Sequence, residues 1–324
     1  MDLKKKNSLA LLILNAPPAN ALNIQLVEEL GIDYVTISQF NPRIIYCSVS
    51  GFGQKGPYRN RPALDPIIQA MGGIMSIIGD PRTGPVKVGS PIADLVASLL
   101  STIGIFGALY ERERTGMGQK VEISMLDGII FSLIPRQAYY FITGNLLPLT
   151  GNQHYQVAPC NTFLTKDGKY VIVIAHTEKP WLNFCEGLGR KELTSDPRFK
   201  LNSERLRHAE ELNKILAEVF QEKTQQEWVE VLANKGIMIA PVNTFEQIFQ
   251  DPQILEDEMV QELEHPLVGK IRVLRLPINF SKSPVKIKMP PPLLGQHTDE
   301  ILSEFGCTKE EINQYKESGV VKGI

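Results

Sequence analysis

Asp94 is the residue of this chain whose setting could carry covalent chemistry. It follows the proline-bounded segment Val86 to Ala93 and opens a run in which Leu95, Leu99, Ile103, Phe106 or Gly107, and Tyr110 recur at helical spacing. That pattern places Asp94 at the N-cap of a helix. A carboxylate there is held ionised by the helix dipole and the oriented amides, and it can attack an activated acyl group while the same amides stabilise an oxyanion. The plainer role of such an aspartate is to bond the first-turn amides and nothing more. A second feature is the loop Gly51-Phe52-Gly53-Gln54-Lys55-Gly56-Pro57-Tyr58, whose glycines would let backbone approach a ligand, or simply make a connecting turn.

Other chemistries lack their residues. The five histidines, 154, 176, 208, 265 and 297, never fall at i,i+4, and the four cysteines, 47, 160, 185 and 307, form no CxxC, so no metal site is expected. Ser48-Val49-Ser50-Gly51 misses the Gly-x-Ser-x-Gly elbow of a serine hydrolase. Neither a phosphate loop of the G-x-x-x-x-G-K-[ST] kind nor a G-x-G-x-x-G opening a helix occurs. With 34 Lys+Arg against 36 Asp+Glu the net charge is -2, and no global basic field draws nucleic acid or an anionic membrane.

The elements that must position these residues follow from the patterning of 324 residues, a length for roughly two domains. No apolar run approaches the roughly 18 residues that span a bilayer, and the sparse cysteines fit a reducing setting, so a soluble cytoplasmic protein is expected. Lys4 to Lys6, Leu9 to Leu14 and Ala19 to Ala21 mimic a secretory signal, but Pro17-Pro18 interrupt it and a short buried strand is the better reading. Further expectations are a helical piece over Ile24 to Leu30, a strand over Arg43 to Ser50, a core helix over Asp65 to Ile78, a strand from Lys120 to Met125 and a helix from Asp127 to Gly144. Beyond a boundary near Ala158 come a β-rich segment (Asn161 to Phe163, Lys169 to Ala175), three helical stretches over 178–249, and short strands such as Lys270 to Leu274.

Taken in order, Asn41 to Tyr58, Ile92-Ala93-Asp94, Arg114 to Gln119 and Met125-Leu126-Asp127 resemble the class III CoA-transferases, the CaiB/BaiF family. Gly151-Asn152-Gln153-His154, Lys166-Asp167-Gly168, Glu264-His265-Pro266 with Val268-Gly269-Lys270, and Pro291 to Thr298 continue the likeness over about residues 26–322. The resemblance implies an α/β fold: an incomplete Rossmann-like large domain (25–157), a smaller α+β domain (158–255) and a C-terminal return to the large domain (256–324), in an interlocked homodimer. It implies that Asp94 is the nucleophile, forming a mixed anhydride with an acyl-CoA and then an aspartyl-CoA thioester that an incoming carboxylic acid resolves. Ser50, Gly51, Phe52 and Gly53 would line the CoA site, and Gly151, Asn152, Gln153 and His154 would form a substrate loop. Coenzyme A and its thioesters enter as substrates, with no resident cofactor or metal.

The closing motifs look nearest to succinyl-CoA-dependent dicarboxylate members, with Arg61 or Arg136 as candidates for the second carboxylate. The related α-methylacyl-CoA racemases carry a Gly-His-Asp triplet where this chain has Ala63-Leu64-Asp65, and a leucine performs no acid-base chemistry, so racemase is the weaker alternative. Members ordinarily begin with several dozen more residues. Here residues 1–24, with Ala10 to Asn23, resemble instead the opening of an enoyl-CoA hydratase, as at a junction of two coding segments. The other alternative is therefore a catalytically inactive, truncated relative serving as a CoA-binding or interaction module, with impaired stability or dependence on a partner.

Overall fold

The computed structural model describes residue 27 and residues 31–134 and 136–323. The expectations for residues 1–24, and most of the helical piece over Ile24 to Leu30, lie outside the described residues. The fold is mixed α/β. It divides into two compact units, one running to Val242 and one beginning at Asn243.

In the first unit, helix α1 (Tyr34–Phe40) starts at Asp33, whose side chain accepts the Thr36 amide, and leads to strand β1 (Tyr46–Ser50). Helix α2 (Asp65–Met71) follows. It is half the length expected, because Gly72-Gly73 end it: Gly73 takes φ +84, and a single 3-10 turn over Ile74–Ile77 succeeds it. Of the apolar residues expected to pack there, Ile68 is buried while Ile67 and Met71 are exposed. The short strands β2 (Gly79–Asp80) and β3 (Gly84–Pro85) pair antiparallel, and the chain then enters helix α3 (Ile92–Thr115). Arg112 and Arg114 stand in its last turn, where cations suit the dipole.

Strand β4 (Lys120–Ser124) returns to pair parallel with β1, Tyr46 opposite Lys120 and Ser50 opposite Ser124, so β1, α3 and β4 make one crossover unit. Helix α4 (Met125–Ser132) begins immediately, earlier than expected, because the Ser124 hydroxyl accepts the Asp127 amide; a separate helix α5 (Arg136–Thr143) replaces the single helix expected as far as Gly144.

The remainder of this unit is a three-stranded antiparallel sheet, β5 (Cys160–Leu164), β6 (Tyr170–Ile174) and β7 (Met238–Pro241), in the order β5-β6-β7. Helices α6 (Glu178–Leu188), α7 (Asn202–Arg207), α8 (Ala209–Phe220) and α9 (Gln225–Ala233) accompany it, the last started by a Thr224–Glu227 capping box. Its core is large and aromatic: Phe163 stacks on Phe220 at 4.7 Å, and Trp181, Phe184, Phe199 and Trp228 are buried around them. The core beneath α3 is smaller, built of Ile68, Ala93, Ala97, Met125 and Ile129.

The apolar period of helix α3 does not mark its buried face. Its periodic large residues do not face the core: Leu99 is 57% exposed, Ile103 67% and Tyr110 70%, while Ala93, Ala97 and Ala108 are buried. Small side chains let the helix lie close on its neighbours, and the bulky stripe points away. The same helix corrects the expectation about apolar runs. By length and composition it is long and apolar enough to cross a membrane, with a mean hydropathy of 1.9 over 18 residues, since the single Asp94 and scattered serines barely lower the average.

In the second unit, helices α10 (Phe245–Ile248) and α11 (Pro252–Glu256) precede an antiparallel hairpin of β8 (Val260–His265) and β9 (Gly269–Leu274), with Val260 opposite Leu274. Alternating burial along both strands is the mark of a sheet with one covered face. Helices α12 (Thr298–Glu304) and α13 (Lys309–Glu317) close it, the latter burying Ile312.

Candidate active site

Because β1 and β4 are parallel and in register, both leave the sheet at the same end, at Ser50 and Ser124. The crevice beyond the carboxyl ends of parallel strands is where ligands of α/β proteins bind. The loop after β1 is anchored there. The Leu126 amide donates to the Gly51 carbonyl at 3.0 Å, and Gln54 Nε2 donates to Ser50 Oγ at 3.2 Å. Phe52 packs on the small core, with its ring edge-on to Tyr58 at 5.7 Å, and the Arg61 guanidinium lies 4.1 Å from the centre of the Tyr58 ring.

Gly51 is required by a neighbour in space: a Cβ built on it would lie 2.3 Å from the Ala63 Cβ. Neither atom can swing aside. Gly51→Ala should therefore lower stability by about 1–3 kcal/mol, the usual cost of overpacking, and shift the loop that follows. A urea titration of the variant checks this, and an unchanged midpoint would show that the Ala63 segment yields freely.

Asp94 is the third residue of α3 and not its N-cap, as the sequence had suggested. Pro91 occupies the cap and offers no side-chain bond. The first-turn amide of Ala93 is taken instead by Asp65, Oδ1 to N at 2.7 Å. Asp94 is thereby released from capping. Its carboxylate accepts no hydrogen bond from the described residues, while Ser98 Oγ donates to its main-chain carbonyl at 2.8 Å. It still lies in the first turn, where the dipole favours an anion.

Asp94 lines an open cavity of about 410 Å³ together with Val49, Ala97, Ser98, Ser101 and Met125. This is the size range of small-molecule sites. The wall is apolar apart from two hydroxyls, and both of these donate back to helix carbonyls, Ser101 Oγ to Ala97 at 2.7 Å and Ser98 Oγ to Asp94. Sequence reasoning had not singled out Ser98 and Ser101. Their spacing from Asp94, i+4 and i+7, marks one helix face and was available in the sequence.

The second candidate segment sits elsewhere in the same unit. The Gly151 amide donates to the Gly79 carbonyl at 2.7 Å, Asn152 Nδ2 donates to Thr162 Oγ1 at 2.8 Å, and the Gln156 amide donates to His154 Nδ1 at 3.1 Å. His154 stacks on Tyr155, and burial first, then the charges of Arg136 and His176, hold it below the usual histidine range. The Arg136 guanidinium is 4.6 Å from the Tyr155 ring centre. The crevice beside Gln153 and His154 holds about 10 Å³, room for no more than a water. Among the described residues, no hydrogen bond or shared cavity joins 151–154 to Asp94. Neither Arg61 nor Arg136 lines the Asp94 cavity.

Two competing nucleophiles are disfavoured by their surroundings. Burial raises the Cys160 thiol, and burial pushes Cys185 up to about 12, so neither supplies thiolate near neutral pH.

Comparison with known proteins matches residues 19–298 to the family described as CoA-transferase family III. An acyl-CoA transferase of Fusarium pseudograminearum is 35% identical over 91% of this chain and 65% of its own length. A succinyl-CoA:glutarate CoA-transferase of Homo sapiens is 34% identical over 86% of this chain and 63% of its own length. The chain thus spans a little under two thirds of these curated relatives. A solved structure of a CAIB/BAIF family protein from Brucella suis superposes with a TM-score of 0.79 at 33% identity, covering 88% of this chain and 74% of that one.

Proposed function

Since the chain belongs to CoA-transferase family III, we propose that it moves coenzyme A from an acyl-CoA to a carboxylic acid, with Asp94 as the nucleophile. The observation that carries this reading is the release of the Asp94 carboxylate: another residue caps its helix, and among the described residues it is left without a hydrogen-bond partner, on the wall of a cavity near the carboxyl ends of the parallel strands. A carboxylate that merely stabilised the helix would be engaged with its amides.

In the proposed cycle an Asp94 oxygen attacks the thioester carbonyl, the C–S bond breaks, and CoA leaves as thiolate from a mixed anhydride. The thiolate attacks Asp94 Cγ and expels the donor acid as carboxylate, giving an aspartyl-CoA thioester. The acceptor carboxylate then attacks Cγ and releases the thiolate, which attacks the new anhydride at its acyl carbon and restores the Asp94 carboxylate. Over the whole cycle one thioester is exchanged for another, so the exchange needs no nucleotide hydrolysis. The apolar wall of Val49, Ala97 and Met125 disfavours water beside the anhydride and thioester.

Succinyl-CoA as donor and a dicarboxylic acid as acceptor are the preferred substrates, in keeping with the human relative, a succinyl-CoA:glutarate CoA-transferase. Ser50 to Gly53 would lie against the CoA moiety, since they leave β1 at the strand end nearest Asp94. The domain plan of 25–157, 158–255 and 256–324, the homodimer and the 151–154 substrate loop belong to the same reading.

Incubation with succinyl-CoA followed by a hydroxylamine quench should place a hydroxamate on Asp94, detected by peptide mass spectrometry. A folded protein left unmodified at Asp94 would remove the nucleophile and favour the inactive, CoA-binding relative.

A further inference from the structure

Asp65 and Gln69 join the helix that bears Asp94 to a different part of the chain. Asp65 is 8% exposed and Gln69 is fully buried. Both oxygens of Asp65 are used: Oδ1 accepts the Ala93 amide at 2.7 Å, and Oδ2 accepts from Gln69 Nε2 at 2.6 Å. Gln69 Oε1 in turn accepts the Val88 amide at 2.8 Å. The two side chains therefore hold the lead-in to α3 at both ends, Val88 and Ala93, and Ala93 is the residue before Asp94.

This is a costly way to satisfy one amide. A serine, threonine or asparagine at residue 91 would cap the helix locally, whereas burying a carboxylate forfeits its hydration. Among the described residues Asp65 has no salt-bridge partner, so two amide donors and the starts of α2 and α3 compensate its charge. What the arrangement achieves is that the cap comes from outside the helix, and Asp94 stands in the first turn with its carboxylate unbound by any described residue.

We propose that Asp65, braced by Gln69, is a positioning residue that sets the attack geometry of Asp94. This rests on the reading of Asp94 as the nucleophile. It concerns residues that never touch the acyl group, and it acts through the main chain of 88–93.

The test is the rate at which Asp94 acquires hydroxamate from succinyl-CoA, measured on folded protein with a thermal melt alongside. In Asp65→Asn the oxygen can still take the Ala93 amide, but the new amino group faces Gln69 Nε2. Gln69 must turn over and abandon Val88, or leave the contact broken. The labelling rate should fall about 100-fold, the scale of an ångström-sized misplacement, with the half-saturating thioester concentration little changed. In the double variant Asp65→Asn, Gln69→Glu the contact between the two side chains is restored with donor and acceptor exchanged and the Val88 amide keeps its acceptor, only the long 3.5 Å bond from Gln69 Nε2 to the Val88 carbonyl being lost, and most of the rate should return. Should Asp65→Asn not fold, Asp65→Glu, which keeps the charge but pushes the helix start outward, should show the same loss.

Labelling of Asp65→Asn at the wild-type rate would overturn the proposal, as would a double variant as slow as the single one, which would assign the effect to charge at residue 65. Wild-type protein that never labels at Asp94 would instead remove the nucleophile reading on which the clamp depends, and that outcome is separate from the variant comparison.

Discussion

Asp94→Ala should abolish CoA exchange, lowering turnover on the order of 10⁴-fold or more, while leaving the fold intact. The first half of this expectation follows from covalent chemistry: every step of the proposed cycle forms or breaks a bond to the Asp94 carboxylate, and no neighbouring group replaces it. Ser98 and Ser101, on the same face of α3, donate their protons to main-chain carbonyls and have no base beside them among the described residues. The second half follows from the corrected position. An N-cap aspartate would cost about 0.5–2 kcal/mol on removal, but the cap here is supplied by Asp65. Loss of Asp94 should remove only its interaction with the helix dipole, about 0.3–1 kcal/mol. Steady-state exchange between succinyl-CoA and a dicarboxylate, with a thermal melt, reads both. Retained turnover would move the nucleophile elsewhere, and a collapsed melt would return Asp94 to a structural role.

Arg205→Met should destabilise the first unit by about 3–5 kcal/mol, a large share of the stability of an ordinary domain. Arg205 is fully buried and, among the described residues, forms no salt bridge. Its guanidinium instead serves main-chain carbonyls: Nε donates to Ala158 at 2.7 Å, Nη1 to Phe199 at 2.9 Å and Lys200 at 3.3 Å, and Nη2 to His176 at 2.6 Å. The group also lies 4.6 Å from the Trp181 ring centre. Methionine fills most of the volume and none of the bonds, so several buried carbonyls lose their donors at about 1–3 kcal/mol each, less than additively. The chain's two tryptophans, Trp181 and Trp228, both lie in this core, so their fluorescence reports its unfolding in urea. An unmoved midpoint would show that water replaces the guanidinium.

The segments that carry the family likeness were legible as segments. Ile92-Ala93-Asp94 does open a helix, Arg114 to Gln119 does lead into a strand, and Lys270 to Leu274 does lie in a strand. These are local matters, settled by 3.6- and 2-residue periods and by proline and glycine at the ends. The extent of the helix after Asp65 was not legible. Its apolar spacing continues to Ile78, and only the left-handed backbone at Gly73 shows that the regular helix has already ended.

By itself the sequence determined the kind of protein, the mixed α/β order of its elements, and the start of a long helix close to Asp94. Each rests on residues close together in the chain. The tertiary structure alone decided which face of that helix is buried, since periodicity locates an apolar stripe but does not say what packs against it; alanines are inside and the leucine stripe is out. It alone decided that Asp65, 28 residues before Ala93, caps the helix. It also placed the Arg205 guanidinium against carbonyls as far as 47 residues away. Hydrogen bonds of that separation are chosen by how the elements come together, and no local propensity encodes them.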